Sequence, residues 1–388
     1  MSSRLRIIVT GLIAEYPLGG VTWDYLQYVV GLARLGHDVF YIEDTGKWPY
    51  DPRAGGTGKS ADYNVSYLAS VMDRFGLQDH WAYHFPWQSQ WFGLPESTRK
   101  GVIASADLII NVSGCLANLR DYRGSGRLVY IDSDPVFTQL KLARGEADMR
   151  RFVDAHDVRF SFGETLGPDV PSDGINWLPT RQPILLDEWV TDSAPTRPYT
   201  TVMNWSSYRS VEYQGRRFGQ KDVEFMKFID LPAALTPVRL EIAMSATGKM
   251  TNAPLGLLKR KGWSIVDPND VAFDADSYRS YIQSSKAEWG VAKNGYVVGK
   301  PGWFSCRSAC YLAAGRPVVA QDTGFSRVLP VGTGLFSYGS FDEAVDAVRS
   351  VESDYARHSR AAREIAEEYF DCARVLTKLL DEATDATL

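Results

Sequence analysis

The segment formed by residues 300–325, KPGWFSCRSACYLAAGRPVVAQDTGF, constrains the fold of this chain more than any other segment. A glycine after a short apolar run supplies the left-handed cap that ends a helix, and a proline at the first residue of a strand costs no ladder hydrogen bond. The segment therefore predicts a helix followed by a buried strand. Its parts, in order, are a Pro301-Gly302 turn, an apolar helix at residues 308–314 that ends at Gly315, a strand at residues 318–320 and a polar loop at residues 321–324.

The chemistry of this segment indicates a site for phosphate. A helix that opens after a glycine-bearing turn aims free backbone N–H groups at whatever lies before it. Ser305 and Ser308 add hydroxyl donors, and the fork of Arg307 suits phosphate oxygens. The loop after the strand lies nearby, because ligands bind outside the carboxyl ends of parallel strands. The alternative is an ordinary helix–strand unit with a structural arginine. The candidate donor-binding residues here are Gly302, Ser305, Arg307, Asp322, Thr323 and Gly324.

These residues resemble the nucleotide-sugar-binding segment of GT-B glycosyltransferases, which have two facing Rossmann-like domains. The pattern in that family reads roughly S-x-x-x-R-x-x-E-A-x-A-x-G-x-P-V and continues into a strand and a D-x-x-G-type loop. The acidic residue that usually binds donor hydroxyls is replaced here by Cys310. The whole chain is similar to bacterial family-1-type glycosyltransferases. The matching residues are Arg307, Ala313, Gly315, Pro317, Val318, Asp322 and Gly324.

Length and composition suit a two-domain α/β protein. The 388 residues exceed one typical core, and 45% apolar with 23% charged residues is average for a globular chain. A net charge of −5 gives no nucleic-acid signature. The start, MSSRLRIIVTGL, lacks the apolar length of a signal peptide, and no run approaches a membrane span. The cysteines are too scattered for a disulfide framework or a zinc site, which favours a cytoplasmic protein.

The first half opens with a β–loop–α–β pattern. Residues 5–9 form an apolar run, residues 21–35 have helical spacing, and residues 38–42 form the next run. The loop between the first two contains Gly19 and Gly20, which the resemblance places on the acceptor side of a cleft. The dinucleotide fingerprint is absent, so no cofactor is expected. A P-loop-like stretch at residues 55–60 lacks its first glycine and a preceding strand.

Carboxylates follow another predicted strand at residues 128–131. Asp132 and Asp134 come at its carboxyl end, where a general base could reach a ligand. Asp132-Ser133-Asp134 also matches a metal-chelating D-x-D motif, but the β–α order around it is wrong for the fold that uses that motif, so no metal is expected. A third reading is a capping role before Pro135. The candidate bases are Asp134 first, then Asp132 and Asp24.

Aromatic residues are dense at residues 80–91. They could form a packed lid, or they could form an acceptor wall of stacking faces, because tryptophan and tyrosine serve both purposes. Trp87 is the acceptor-side candidate from this stretch.

The second half repeats the α/β pattern. A strand at residues 200–203 precedes a basic segment, and Lys221 lies immediately before a predicted helix. The resemblance gives Lys221 the role of binding the diphosphate, against the alternative of a solvated lysine. Lys293 follows a polar run at residues 284–289 and is a further donor-site candidate.

The sequence as a whole predicts an α/β fold of two facing Rossmann-like domains with a cleft between them. Residues 1–180 would bind the acceptor, residues 181–198 would be a linker, and residues 199–388 would bind the nucleotide sugar, with a last helix that in this fold often returns to the first domain. The predicted activity is metal-independent transfer of a sugar to an unknown acceptor. The alternatives are a nucleotide-sugar epimerase or phosphorylase of the same fold, and a non-catalytic nucleotide or sugar binder, which the cysteine at position 310 suggests.

Overall fold

The computed structural model describes residues 4–124, 126–171, 174–244 and 253–385. Its first domain is built on a sheet that contains eight of the strands in this described part of the chain. The strands of this domain are β1 (Arg6–Thr10), β2 (Asp38–Glu43), β3 (Tyr50–Asp51), β4 (Gly56–Thr57), β5 (Trp81–Phe85), β6 (Gln90–Gly93), β7 (Leu108–Val112), β8 (Arg127–Asp132), β9 (Val158–Ser161) and β10 (Leu178–Pro179).

The order of this sheet is β10-β9-β8-β7-β1-β2-β5-β6, and only the β5–β6 pair within it is antiparallel. β3 and β4 form a separate antiparallel pair. The order reverses between β1 and β7, so a crevice opens beyond the carboxyl ends of these two strands. The helices of the domain are α1 (Gly19–Arg34), α2 (Asp62–Arg74), α3 (Glu96–Ser105), α4 (Phe137–Ala143) and α5 (Ala147–Asp154).

The second domain contains a parallel sheet in the order β15-β14-β11-β16-β17-β18, together with a small antiparallel hairpin, β12–β13. The order of the parallel sheet reverses between β11 and β16, which opens a second crevice at their carboxyl ends. The strands are β11 (Arg197–Val202), β12 (Val211–Tyr213), β13 (Arg216–Phe218), β14 (Leu240–Ala243), β15 (Ser264–Val266), β16 (Ser285–Gly290), β17 (Val318–Gln321) and β18 (Leu335–Tyr338).

The helices after the first domain include a cluster at the carboxyl end of the chain that packs in two directions. α14 packs against α12 and β18, whereas α15 crosses back onto α1 of the first domain. There Leu376 lies in van der Waals contact with Gly31. The helices are α6 (Lys221–Phe225), α7 (Leu231–Ala234), α8 (Leu255–Arg260), α9 (Pro268–Val271), α10 (Ala275–Ser284), α11 (Asn294–Gly299), α12 (Cys306–Ala313), α13 (Phe341–Ser353), α14 (Tyr355–Tyr369) and α15 (Cys372–Thr384).

The mixed α/β architecture with parallel sheets confirms the predicted fold class. The run at residues 284–289 that reads as polar in the sequence is the central strand β16, and its residues are mostly buried. The apolar stretch that follows forms α11. Hydrogen bonding to β11 and β17 satisfies the backbone of β16. Its buried polar side chains have partners of their own: the hydroxyl of Ser285 accepts from Thr200 at 2.6 Å, and Glu288 pairs with Arg307.

The two domains contact each other around the mouth of the crevices. The N–H of Gly19 faces the carbonyl of Ala272 at 3.4 Å, and the N–H of Thr165 donates to the carbonyl of Pro301 at 2.8 Å. A Cβ on Gly19 would lie 2.2 Å from the carbonyl oxygen of Asp274, so glycine is needed for this close approach. Among the described residues, no helix is long and apolar enough to cross a membrane.

Candidate functional site

The candidate site is a cleft between the two crevices, with a volume of about 320 Å³. The start of α1 borders it from the first domain, and the loop after β11 borders it from the second. It therefore lies at a domain interface and beside the topological switch points of both sheets, the positions at which small-molecule sites are usually found. The charged side chains that line it are Asp24, Lys221, Lys293 and Arg307.

Arg307 is held in the cleft by two acceptors of the second sheet. It lies in the first turn of α12, its Nη1 donates to the carbonyl of Val202 at 2.8 Å, and its Nε donates to Glu288 of β16. The carboxylate of Glu288 is fully buried. A Cβ on Gly290 would lie 3.1 Å from Nη2 of Arg307, so the bare backbone at this position gives the guanidinium room. The positive charge of Arg307 is therefore held in a fixed position, because Nε and Nη1 of its guanidinium group are bonded to the sheet.

Lys221 begins α6 and is partly buried in the cleft. In the described part of the chain its ammonium group has no carboxylate within salt-bridge distance. Burial lowers the pKa of Lys221 well below the usual lysine value, and the positive charges of Arg307 and Lys293 lower it further. An anion bound in the cleft would supply the negative charge that Lys221 lacks among the described residues and would favour its protonated form.

Lys293 contributes the third cation and connects the two domains. Its Nζ donates to Oδ1 of Asp134 at 2.8 Å and to the hydroxyl of Tyr208 at 2.9 Å. The hydroxyl of Tyr208 donates to Oδ2 of the same aspartate at 2.7 Å, and Tyr296 donates to its Oδ1. Asp134 is thus surrounded by donors from the second domain, so the structure presents it as the counter-ion of Lys293.

Asp24 lies on α1 and faces the cations across the cleft. Burial raises the pKa of its carboxyl group from 3.8 to about 7, while the positive charge of Arg307 and contact with the thiol of Cys306 oppose that rise. A carboxyl group that titrates near neutral pH can both accept and release a proton there, which is the property of a general base. Of the three predicted carboxylates, Asp24 is the one that lines the cleft.

Asp132 is turned into the protein interior and is 1% exposed. Its Oδ1 accepts a hydrogen bond from the hydroxyl of Thr138 at 2.7 Å. Its Oδ2 accepts hydrogen bonds from the side-chain amide of Gln139 and the hydroxyl of Ser161, each at 3.1 Å. Burial raises its pKa to about 6 against the effect of these hydrogen bonds. The side chain fixes the start of α4 and does not reach the cleft.

The loop of the predicted phosphate segment is also present, but many of its hydrogen-bonding groups are already bonded to other groups of the protein. Gly302 has a left-handed φ of 80°, and a Cβ on it would lie 2.6 Å from Oγ1 of Thr165 in the first domain. Thr323 donates its hydroxyl to the carbonyl of Trp303, and Asp322 accepts the N–H of Gly324 at 3.0 Å. These residues shape the loop. Ser305, Thr323 and Arg307 line a narrow extension of the cleft.

The acceptor-side candidates separate in space. Gly20 lines the cleft and lies against the ring of Tyr278. A Cβ added at Gly20 would be 3.3 Å from Cε2 of that ring. Gly19 permits the interdomain contact described above. Trp87 is 50% exposed and packs on Trp48, with ring centroids 4.4 Å apart. Trp87 is not part of the lining of the cleft.

A second chamber of about 490 Å³ continues from the cleft, between the β3–β4 hairpin and α9. Its lining is partly apolar, with Val21 and Tyr50 from the first domain and Pro268, Ala272 and Tyr278 from the second. Gly20, Val21 and Tyr278 also line the cleft, so the two spaces are continuous.

Several residues of the site were not found by sequence analysis. Glu288 lies in the polar run that forms β16. Had that run been read as a buried strand, an acidic residue in it would have indicated a buried basic partner such as Arg307. Tyr208 and Tyr278 gave no signal, because their contacts join segments far apart in the chain. Cys310, which replaces the usual acidic residue, is 2% exposed and belongs to the apolar core.

Comparisons with known proteins show the fold. No family model and no curated protein matches the chain. Among solved structures, Anabaena HepE in complex with UDP and glucose has a TM-score of 0.58 at 13% identity, covering 98% of this chain and 99% of that chain. AviGT4, a glycosyltransferase involved in avilamycin A biosynthesis, has a TM-score of 0.54 at 12% identity, covering 98% and 97%. An alpha-glucosyltransferase in complex with UDP and a 13-mer DNA has a TM-score of 0.56 at 13% identity, covering 99% and 100%. The chain therefore has the fold of the GT-B glycosyltransferases.

Proposed function

We propose that this protein is a glycosyltransferase that takes a sugar from a nucleoside-diphosphate sugar. The observation that carries the proposal is the convergence of Lys221, Lys293 and Arg307 on one interdomain cleft, where Lys221 has no carboxylate partner among the described residues. A diphosphate would supply the missing negative charge. The HepE and alpha-glucosyltransferase structures are complexes with UDP, so UDP is the first nucleotide to test.

The donor would lie across the cleft and the adjoining chamber. The diphosphate would contact Lys221 and Arg307, and the nucleoside would occupy the chamber beside Pro268 and Tyr278, which offers flat and partly apolar surfaces. Negative charge grows on the leaving diphosphate as its bond to the anomeric carbon breaks. Fixed cations at that position stabilise the transition state more than the ground state, which is the condition for catalysis.

Asp24 is the residue that we propose as the general base. In an inverting reaction an acceptor oxygen forms a bond to the anomeric carbon, the bond between that carbon and the diphosphate oxygen breaks, and the acceptor proton passes to Asp24. The diphosphate leaves with the bonding electron pair. Asp24 replaces Asp134 as the first candidate, because Asp24 lines the cleft with a pKa near 7 whereas Asp134 is bound to Lys293.

We propose that the reaction needs no divalent metal. The support is the state of the D-x-D carboxylates: Asp132 accepts hydrogen bonds from Thr138, Gln139 and Ser161, and Asp134 pairs with a lysine. A metal ion would have to displace these partners. We also propose a cytoplasmic location, for which the support is the scatter of four cysteines along the sequence.

The test is calorimetric titration of UDP into the wild-type protein and Lys221→Met. Methionine keeps the length and apolar stem of lysine but removes the charge. We expect affinity to fall by at least about 10-fold, the scale of a hydrogen bond to a charged group. Lys259→Met, which removes an exposed lysine from α8, is the matched control and should bind UDP like the wild type. Equal affinity in Lys221→Met and the wild type would contradict the donor placement.

Activity is tested separately, by release of UDP from UDP-glucose and from other UDP-sugars with and without a panel of acceptors. UDP release that depends on an acceptor supports transfer. Interconversion of nucleotide sugars without an acceptor would instead support an epimerase. UDP binding without turnover of any donor would support the third alternative, a non-catalytic nucleotide-binding protein.

A further inference from the structure

A second open basin, which we call the arginine basin, lies next to the cleft and shares no lining residue with the nucleoside chamber. It has a volume of about 670 Å³, and its lining includes Arg144 from the first domain and Arg209 and Arg217 from the second. The nucleoside chamber has no arginine or lysine in its lining among the described residues. The two spaces that flank the cleft therefore differ in chemistry.

The basin has a defined shape, because the β12–β13 hairpin is anchored across the domain interface. Phe218 at the end of the hairpin is 1% exposed and packs in a cluster with Val136, Phe137 and Leu140 of the first domain. Arg216 on the same hairpin pairs with Asp169 of the first domain at 3.1 Å. Closing of the two domains on each other thus brings Arg144 opposite the hairpin.

The charges of the basin are largely unpaired. Arg209 has no hydrogen-bond or ion-pair partner in the described part of the chain, and Arg217 donates only to the hydroxyl of Ser210, at 3.1 Å. Arg144 has one distant carboxylate, Glu146, at 3.9 Å. Guanidinium groups that have no close ion-pair partner among the described residues, in a concave space, suit a ligand with carboxylate or phosphate oxygens.

Two carboxylates also line the basin, and they indicate what else the ligand carries. Glu212 is exposed, and Oδ1 of Asp222 is buried without a hydrogen-bond partner among the described residues. Carboxylate oxygens accept hydrogen bonds from hydroxyl groups and repel anions. A ligand that matches the whole lining therefore has hydroxyl groups in addition to one anionic group.

The position of the basin assigns it to the acceptor. Ser206 and Tyr208 line the basin, Ser207 between them lines the cleft, and the hydroxyl of Tyr208 contacts Lys293 of the cleft. The sequence of spaces is thus nucleoside chamber, cleft, basin. If the nucleoside and diphosphate occupy the first two, the transferred sugar faces the third.

We propose that the arginine basin binds the acceptor and that the acceptor is an anionic saccharide, with a phosphate or a carboxylate group. This inference rests on the proposed glycosyl transfer. Guanidinium groups bind both phosphate and carboxylate, so the experiment includes one sugar phosphate and one sugar carboxylate.

The experiment uses the full chain saturated with UDP, so that anionic probes cannot bind at the diphosphate position. Glucose 6-phosphate, glucuronate and glucose are titrated by calorimetry, the neutral sugar being the reference. We expect at least one anionic probe to bind about 10-fold or more tightly than glucose, as for charge-assisted hydrogen bonds. Binding of the phosphate alone or of the carboxylate alone would identify the group that the basin selects.

Charge-reversal variants locate that binding. Arg209→Glu and Arg217→Glu should each lower the affinity for the anionic probe by about 10-fold or more and leave the affinity for UDP unchanged. Arg357→Glu, at an exposed position on α14, is the control for an added negative charge and should behave like the wild type. The inference is overturned if the three probes bind alike, or if tight anion binding survives both reversals. If the wild type fails to bind UDP in the first place, the proposed function fails and not the basin assignment alone.

Discussion

Asp24→Asn should make the protein more stable at alkaline pH while removing its activity. The folded protein holds the carboxyl pKa of Asp24 near 7, against 3.8 for the ordinary side chain. Between these values the folded chain keeps a proton that the unfolded chain has released, so stability is lost as pH rises towards 7. Asparagine resembles the protonated form at every pH and avoids this loss.

The expected size follows from the pKa difference. One pKa unit corresponds to about 1.4 kcal/mol, so the variant should gain about 1.5 kcal/mol over the wild type at pH 5 and about 4 kcal/mol at pH 8. The two proteins should be about equally stable near pH 2.5, where Asp24 is protonated in both states. Other buried acids, such as Glu43 with its pKa raised by burial to about 8, affect both proteins alike and cancel in the comparison.

The assay is chemical denaturation at pH 5 and pH 8 at constant ionic strength, followed by tryptophan fluorescence and circular dichroism. Asp73→Asn, at an exposed position in α2, controls for the loss of one negative charge. The same variant should lower turnover roughly 100-fold, the scale of a general base, and bind UDP at least as tightly as the wild type. A gain that is equal at both pH values, or a loss of stability at pH 8, would refute the reasoning.

Four further results are expected. Arg307→Ala should weaken UDP binding and destabilise the fold by roughly 3–5 kcal/mol, because it leaves Glu288 buried without a partner, and adding Glu288→Gln should recover part of that loss in denaturation experiments. Asp134→Asn should reduce turnover less than Asp24→Asn does, since the carboxylate of Asp134 already accepts from Lys293, Tyr208 and Tyr296; equal losses in steady-state kinetics would return Asp134 to the role of base. UDP affinity should decrease as salt is raised from low ionic strength, because the cleft attracts the diphosphate by charge, and a flat calorimetric series would argue against ionic recognition. Transfer should persist in EDTA, and restoration of a lost activity by Mn²⁺ or Mg²⁺ would show that a metal is required.

Local patterns in the sequence predicted parallel α/β sheets, and the family resemblance supplied the arrangement of two facing domains. The apolar runs at residues 5–9 and 128–131 form β1 and β8, which are almost entirely buried, and strands of that composition are typical of a covered parallel sheet. The resemblance assigned Lys221 to the diphosphate, the helix start after a glycine-bearing turn indicated a phosphate role for Arg307, and both side chains line the cleft.

The partners of the site residues could not be predicted in the same way. Lys293 and Asp134 are 159 residues apart in the chain, and their pairing depends on how the two domains close. β16 was overlooked because Lys286 and Glu288 give it a polar composition, although pairing with neighbours on both edges satisfies the backbone. The pKa of Asp24 depends on burial by side chains of both domains, which no local pattern records.

The return of α15 to the first domain has a consequence for how the chain is made. Leu376 and Leu379 fill a surface of α1 near Gly31, and Cys372 donates its N–H to the carbonyl of Ile184 at 3.0 Å. During synthesis α1 leaves the ribosome early, whereas its covering helix emerges more than 300 residues later. The apolar face of α1 therefore stays without this cover until residues 372–384 have left the ribosome, and the contacts between α1 and α15 form only after both domains have been synthesised.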